Sequence, residues 1–466
     1  MAQSSTLLDP QANSHSPNGS EKGLDAEKLG DHANRSRKPL FEYPALPNLE
    51  IGLYFGVLTS LLVFMAYRVY EASISYNHDE RRGLGRLQAS SLPLLGPWPK
   101  DVSNWEWLHF LPYLSKMLPI YIGHVISFNV FGYYLADRHR WLWEALRFAY
   151  TLLAMSLVAS FVPLLYISYK FLAYIGFCNE LCSAGPKHAS YWGGLWDMLV
   201  FAHYLPYSQS LIVTYADYKV QMEHRQAKMR NWSGILCLAA RLVLWTAVAE
   251  LAIHLFHFEY LLLDYSFLKS TSLTTFCSLG YMAGQFFHLK YVVIFGLPRL
   301  FALMDGLEPP AGPICVPRLS LYSHMWRSFD RGLYHFFKQC IFKPICAPSF
   351  SLPRKIIGML TSFAFVLLWH GIYHNYIWWI LLNIGELTVE QVAKGIYSLQ
   401  PVRSFRERHM RSWVTSLMIQ RMLWENAWPW TRYYQCLWFF SYCHAQCCME
   451  CDRRIAIAQT TKLKSA

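Results

Sequence analysis

Charge is what this sequence has least of. Only 15% of its 466 residues are Asp, Glu, Lys or Arg, against roughly 25% in soluble domains. With 54% hydrophobic and 17% aromatic residues, the deficit excludes an ordinary soluble domain and defines a polytopic membrane protein. Acid is scarcer than base, 30 residues against 42, for a net charge of +12. A basic chain can bind nucleic acid, but these cations do not form one aromatic-interleaved face. They fill short connectors beside apolar runs: Lys219 to Arg230, Arg327 to Lys343, Arg354 and Lys355, Arg403 to Arg411, and Arg453 to Lys464. Such connectors mark the cytosolic side of a membrane protein, and no nucleic-acid partner is expected.

Other absences narrow the reading. The first forty residues contain no apolar h-region, so no signal peptide is expected. Residues 1–45 are polar and read as a disordered cytosolic tail, in which the sequons at Asn18 and Asn34 would stay unused. Insertion then begins with a first span at about Leu49 to Tyr70. Residue 2 is alanine, which excludes N-myristoylation. No repeat of about 20–50 residues is present, and the two halves share no pattern of broken helices, which argues against a transporter. The 12 cysteines lack the even spacing of a disulfide scaffold. Even the dense run Cys443 to Cys451 lacks two clean Cys-x-x-Cys pairs, so S-acylation or plain packing is preferred there over zinc.

What is present is a succession of apolar stretches. After a polar connector from Glu71 to Val102 they fall at about 105–135, 141–178, 190–215, 232–263, 271–303, 356–395, 411–424 and 433–449. Several exceed the roughly 20 residues that one helix needs to cross a bilayer. They must be hairpins, tilted helices or re-entrant elements, nine to eleven crossings in all. The fold class expected is an all-α polytopic membrane protein, a bundle of about ten transmembrane helices plus re-entrant elements. Residues 46–450 would form this domain and residues 451–466 a cytosolic C-terminal tail. The segment Tyr191 to Tyr215, interrupted by Gly193, Gly194, Pro206 and Ser208, is expected to line a cavity, because broken backbone at membrane depth survives only there or buried in protein.

Two polar residues stand out against this background. His370 closes the apolar run that begins at Ile356 and contains no other ionisable side chain. An imidazole at membrane depth is costly and is a functional candidate by default. Forty residues upstream, Asp330 sits in the polar, aromatic segment Met325-Trp-Arg-Ser-Phe-Asp-Arg-Gly-Leu333. The basic segments on both sides of 356–395 require that stretch to cross an even number of times, as a hairpin turning near His374-Asn375. At 1.5 Å per residue, His370 lies roughly 20 Å from the cytosolic start of its helix, toward the luminal half. Asp330 belongs to the cytosolic side or to a re-entrant segment.

These residues carry a resemblance. Leu368-Trp-His-Gly371 ending an apolar helix, Met325-Trp-Arg-Ser-Phe-Asp330 before it, and the segment from His288 to Pro310 resemble the membrane-bound O-acyltransferase superfamily, and within it the hedgehog acyltransferase branch. The resemblance covers most of the chain outside both tails. It implies a tunnel open to both faces, palmitoyl-CoA entering from the cytosol and a protein acceptor from the lumen. His370 and Asp330 carry over as the catalytic pair, with a hydrogen-bonded structural histidine and a helix-end or ion-pair aspartate as the alternatives. Independently, an attacking amine must lose a proton, and a histidine near its ordinary pKa can take it as a thioester is attacked.

The same resemblance places Trp326 and Trp369 at the substrate channel, where packing alone is an alternative, and Cys315 as an axial thiolate ligand of haem b. Arg327 and Arg331 could attract the phosphates of CoA, although positive-inside orientation also accounts for them. Trp326, four residues before Asp330, shares its face if the segment is helical. The remaining histidines, among them His124, His203, His254, His257 and His288, are expected to be buried and hydrogen-bonded. Lys462-Leu-Lys-Ser-Ala466 resembles a dilysine retrieval signal, pointing to the endoplasmic reticulum. The function expected is transfer of palmitate to the N-terminal cysteine amine of a secreted, hedgehog-like signalling protein. An acyltransferase of the same superfamily acting on a hydroxyl or lipid acceptor, a non-catalytic scaffold and a transporter are the alternatives.

Overall fold

A computed structural model of the chain describes residues 48–76, 86–92, 96–135, 163–184, 191–208, 210–225, 230–314, 322–347 and 349–401, with isolated positions between them. The chain divides between Glu50 and Ile51, and the elements below belong to the second unit apart from the first residues of α1. Helix α1, Asn48–Ser75, extends the expected first span by five residues at its C-terminal end. It carries Leu53 and Val63 on an exposed face, as a helix dissolved in lipid does.

The connector after α1 departs from the all-α expectation. Leu87–Leu92 (β1) and Gly96–Asp101 (β2) form a two-stranded antiparallel hairpin. Two prolines do not prevent it, because Pro97 and Pro99 alternate along β2 and their missing N–H groups fall on the unpaired edge. The hairpin is fastened to the helices beneath it. The Lys100 ammonium and the Trp107 indole each reach Glu250, both at 2.7 Å, and Asp101 accepts from the Tyr260 N–H at 2.9 Å.

The helices follow as α2, Trp105–Leu135; α3, Pro163–Ala184; and α4, Tyr191–Ala202. A single 3-10 turn at Leu205–Tyr207 and an extended stretch to Thr214 interrupt the chain before α5, Tyr215–His224. Next come α6, Trp232–Leu255; α7, Phe258–Leu262; α8, Tyr265–Ser270; and α9, Leu273–Met304. The C-terminal part comprises α10, Tyr322–Phe329; α11, Arg331–Phe336; a π-helical stretch, Phe337–Phe342; α12, Lys343–Cys346; α13, Leu352–His370; and α14, His374–Ser398.

Among the described residues four helices are long and apolar enough to cross a membrane: α1 from Ile51, α6, α9 and α13. The other long helices carry what lipid penalises: Pro112 and Pro119 in α2, Lys170 and Glu180 in α3, and Glu386, Glu390 and Lys394 in α14. Helices α6 and α9 approach so closely that a Cβ on Gly296 would stand 2.4 Å from Leu242, the small-residue contact by which membrane helices associate.

Two aromatic-rich cores hold the bundle. Phe128, Phe177, Phe201, Tyr204 and Tyr218 pack around the interrupted segment. Trp107, Phe258, Leu279 and Phe286 pack beneath the hairpin. Asp305, fully buried after α9, ties the first core together by accepting from Tyr204 at 2.7 Å and Asn129 at 3.1 Å and pairing with His124 at 3.0 Å. Of the five histidines expected to be satisfied, His124, His203, His254 and His257 have hydrogen-bond partners.

Candidate active site

The polar segment around Asp330 is not one helix. Helix α10 stops at Phe329, and Asp330, with φ −123° and ψ 94°, becomes the N-cap of α11, its Oδ1 accepting from Leu333 N at 2.8 Å. The break is enforced from outside, since a Cβ on Gly332 would lie 2.2 Å from the Ile212 carbonyl oxygen. Only glycine lets α11 begin against the extended 210–214 stretch. As a result Trp326 and Asp330 do not share a helical face, contrary to the sequence-based expectation. Asp330 turns toward Leu211, Phe295, Pro310 and Gly312. Burial of its carboxyl pushes it up to about 6, against the backbone N–H groups that favour its anion.

A cavity of about 1170 Å³ lies on the other side of Gly332, larger than the roughly 300–1,000 Å³ of ordinary small-molecule sites. Its walls include Ile212, Pro310, Ala311, Arg331 and Gly332, which also enclose Asp330. Asp330 itself lines a separate small recess that shares these five residues with the cavity. The interrupted segment supplies one wall through Ile212 to Tyr215, as expected for it. Arg299 of α9 holds another in place by donating to the Pro310 carbonyl at 2.8 Å. Lys219, Arg331 and Lys343 bring cations to the cavity, and Glu180, Asp217, Glu223 and Glu308 bring acids. Glu180 is already engaged, accepting from Tyr215 N at 3.1 Å and Ala216 N at 2.7 Å at the start of α5. Burial holds the His335 imidazole, also in the lining, below its ordinary value.

His370 ends α13, and Gly371 with φ 92° turns the chain toward α14. The imidazole packs beside Tyr376 at 5.5 Å and edge-on to Trp379 at 5.4 Å. Trp379 lies in turn 6.0 Å from Trp326. Trp326 is further fixed by its indole N–H donating to Asn383 Oδ1 at 3.1 Å and by a perpendicular contact with Phe363 at 5.2 Å. The structure thus brings Trp326 and His370 to two sides of one tryptophan. Neither Trp379 nor Asn383 was singled out from sequence. Both follow the turn of the hairpin, and their spacing of four residues on a returning helix is the signal that could have found them. Trp369 points elsewhere, edge-on to Tyr169 of α3 at 5.6 Å.

Asp330 and His370 are not hydrogen-bonded to each other. What lies between is aromatic and phenolic. The Asp330 charge acts on Tyr169 and on Tyr291 of α9, and the ring of Phe329 packs against Tyr291 at 5.3 Å. Tyr291 donates to Glu106 of α2 at 3.0 Å, and Glu106 is paired with Lys290.

Arg327 lies apart from the cavity walls. Its Nε donates to the Ser323 carbonyl at 3.0 Å, beside the contact in which Ser323 N donates to Glu390 at 2.7 Å and docks α10 on α14. Cys315 lies outside the described residues, as do the Cys443–Cys451 run and both tails. The chain is followed to Ile314, whose N–H donates to the Ser328 carbonyl at 3.3 Å. Among the described residues no group of three or more His, Cys, Asp or Glu is gathered to hold a metal ion.

Residues 186–422 match the model of the membrane-bound O-acyltransferase family. The chain belongs to that family. It is 27% identical over 421 residues to the protein-cysteine N-palmitoyltransferase Rasp of Drosophila melanogaster, covering 78% of this chain and 82% of the relative. Identity to the mouse protein-cysteine N-palmitoyltransferase HHAT is 30% over 260 residues, 52% of this chain and 51% of the relative. The membrane-bound O-acyltransferase GUP1 of Saccharomyces cerevisiae is 25% identical over 222 residues, 47% of this chain and 39% of the relative.

Proposed function

We propose that the protein transfers palmitate from palmitoyl-CoA to the N-terminal cysteine amine of a secreted, hedgehog-like signalling protein, within the endoplasmic reticulum membrane. The observation that carries this reading is the large cavity that shares a wall with the recess holding Asp330, in a chain similar over most of its length to a protein-cysteine N-palmitoyltransferase. The cavity is large enough for the polar part of an acyl-CoA, and Arg331, Lys219 and Lys343 supply the cations that phosphates require. Of the two arginines considered from sequence, Arg331 is therefore the better placed.

The thioester carbonyl would lie between Asp330 and His370, the acyl chain running among the aromatic side chains. His370 takes the proton of the attacking amine as the new C–N bond forms, and the tetrahedral intermediate collapses with loss of the CoA thiolate, which leaves through the cavity and is protonated in water. Asp330, held near neutrality, orders the polar end of the site and can hold a cation. Trp326 and Trp379 wall the histidine side. The haem at Cys315 rests on the resemblance alone, since that residue lies outside the described ones, and no step of the transfer is routed through it.

The reaction ends in an amide, and that is its test. Purified full-length protein is incubated with labelled palmitoyl-CoA and a peptide beginning with cysteine, and the product is treated with neutral hydroxylamine. Label that persists, and that is absent when the N-terminus is acetylated, supports the reading. Label that is released, or equal labelling of the acetylated peptide, replaces it with acylation of a side chain, the reaction suggested by the relatives described as O-acyltransferases.

A further inference from the structure

Glu106 is a carboxylate held by a buried support and still half-exposed. It opens α2, the first helix after the hairpin. Its side chain is 43% exposed, whereas that of its partner Lys290 is only 5% exposed. An ion pair with one buried member is an expensive way to decorate a surface, because the desolvated ammonium recovers its lost hydration only through its partners. Here those partners are Glu106, the Asn104 side chain at 3.4 Å and the faces of Phe287 and Tyr291 at 5.2 and 5.3 Å. Tyr291 adds a hydrogen bond to the second oxygen of Glu106 at 3.0 Å. Two donors from one turn of α9 fix the carboxylate, and its remaining lone pairs face the open side.

It lies beside the candidate site. Through Tyr291 and Phe329 it is one aromatic layer from Asp330, and its charge acts on Tyr169, which touches Trp369, and on His370. The hairpin and the start of α2 lie one crossing beyond the N-terminal side of α1, and therefore on the face opposite the basic connectors, the face from which a secreted acceptor arrives.

We propose that Glu106 is a specificity-determining residue, its half-exposed carboxylate receiving the protonated N-terminal amine of the acceptor and delivering it to His370. This rests on the N-acylation reading above. A hydroxyl acceptor brings no cation to this point. An N-terminal ammonium brings three donors and a charge, and a carboxylate oriented by Lys290 and Tyr291 accepts one of them; one proton is then lost to water to free the attacking lone pair, and the second passes to the imidazole as the C–N bond forms.

The test is a competition that does not depend on turnover. Full-length enzyme is loaded with a non-hydrolysable thioether analogue of palmitoyl-CoA and presented with two peptides of one sequence, one bearing the free N-terminal cysteine and one in which that amine is replaced by hydrogen. The wild type should prefer the amine peptide by roughly tenfold to a hundredfold, the scale of one charge-assisted hydrogen bond. Glu106→Gln should abolish the preference while leaving affinity for the thioether within about twofold. An undiminished preference in Glu106→Gln overturns the proposal. If that variant does not fold, Glu106→Asp decides, since the shorter arm must weaken the preference and an unchanged value is equally fatal. Failure of the parent reading looks different: the wild type itself then forms no hydroxylamine-stable product.

Discussion

His370 and Asp330 are the residues whose chemistry can be separated by measurement. His370 is placed at a helix end among aromatic rings, with no protein group hydrogen-bonded to it among the described residues, so its removal should leave the fold intact. His370→Ala is expected to bind acyl-CoA normally while transfer falls roughly 100-fold to 10,000-fold, the range for loss of a general base; normal turnover in a well-folded variant would remove the histidine from the mechanism. Asp330 predicts a stability effect instead. Its carboxyl is raised from 3.8 to about 6 by burial, so the folded protein binds that proton more tightly than the unfolded chain. The stabilisation it contributes is complete below about 3.8 and is lost as pH rises through about 6. Asp330→Asn keeps an N-cap side chain but cannot titrate. Thermal melts between pH 5 and 7.5 should show the wild type losing stability relative to Asp330→Asn as pH rises, and parallel curves would refute the buried-carboxyl assignment.

At the scale of elements, the site depends on a helix broken in the right place. The polar segment from Met325 was legible in sequence as important, but whether it is helical and where it breaks at Asp330 were not. It is imposed by a contact 120 residues away in the chain, between Gly332 and Ile212, and no local signal encodes a tertiary clash that has been avoided. The same holds for the π-helical stretch Phe337–Phe342, whose wider turn sets Phe342 against Gly358, where an added Cβ would stand 2.9 Å from the ring. The hairpin was missed for a different reason: with Gly and three prolines in or near β2, the connector reads as a loop, and its pairing is visible only once Glu250 and Tyr260 anchor it. By contrast the α13–α14 hairpin, the turn near His374 and the interrupted segment after Tyr191 were all readable, because charge parity and apolar length govern them. Gly332→Ala should therefore destabilise the protein by about 1–3 kcal/mol, the cost of overpacking, or push α11 away from the 210–214 stretch. Either outcome should weaken acyl-CoA binding, whereas Gly385→Ala on α14, where a Cβ meets nothing within 4 Å, serves as the neutral control.

For the whole molecule the decisive quantity is which face each end of each helix occupies, because a donor and an acceptor that arrive from opposite sides need the histidine and the large cavity to open oppositely. The basic connectors assign Lys219 to Arg230 to the cytosol, so α6 leaves that side at Trp232 and reaches the other by Leu255, where it meets the hairpin through Glu250 and His254. Helix α9 returns from that side, ending at Met304 near the cavity residues Glu308 to Ala311. On the positive-inside reading the hairpin would be luminal and the cavity mouth cytosolic. The chain carries three sequons, at Asn18, Asn34 and Asn231, and all three fall on the cytosolic side in this arrangement. Asn231 is in addition occupied as the N-cap of α6, its Oδ1 accepting from Gly234 N at 2.9 Å. Expressed in microsomes, the native chain should carry no N-glycan, and a sequon inserted between Leu92 and Gly96 should acquire one, read as an endoglycosidase-sensitive mobility shift. Modification at Asn231, or an unmodified insertion in a chain that still binds acyl-CoA, would invert the membrane orientation and send the acceptor to the side where the cavity now admits the donor.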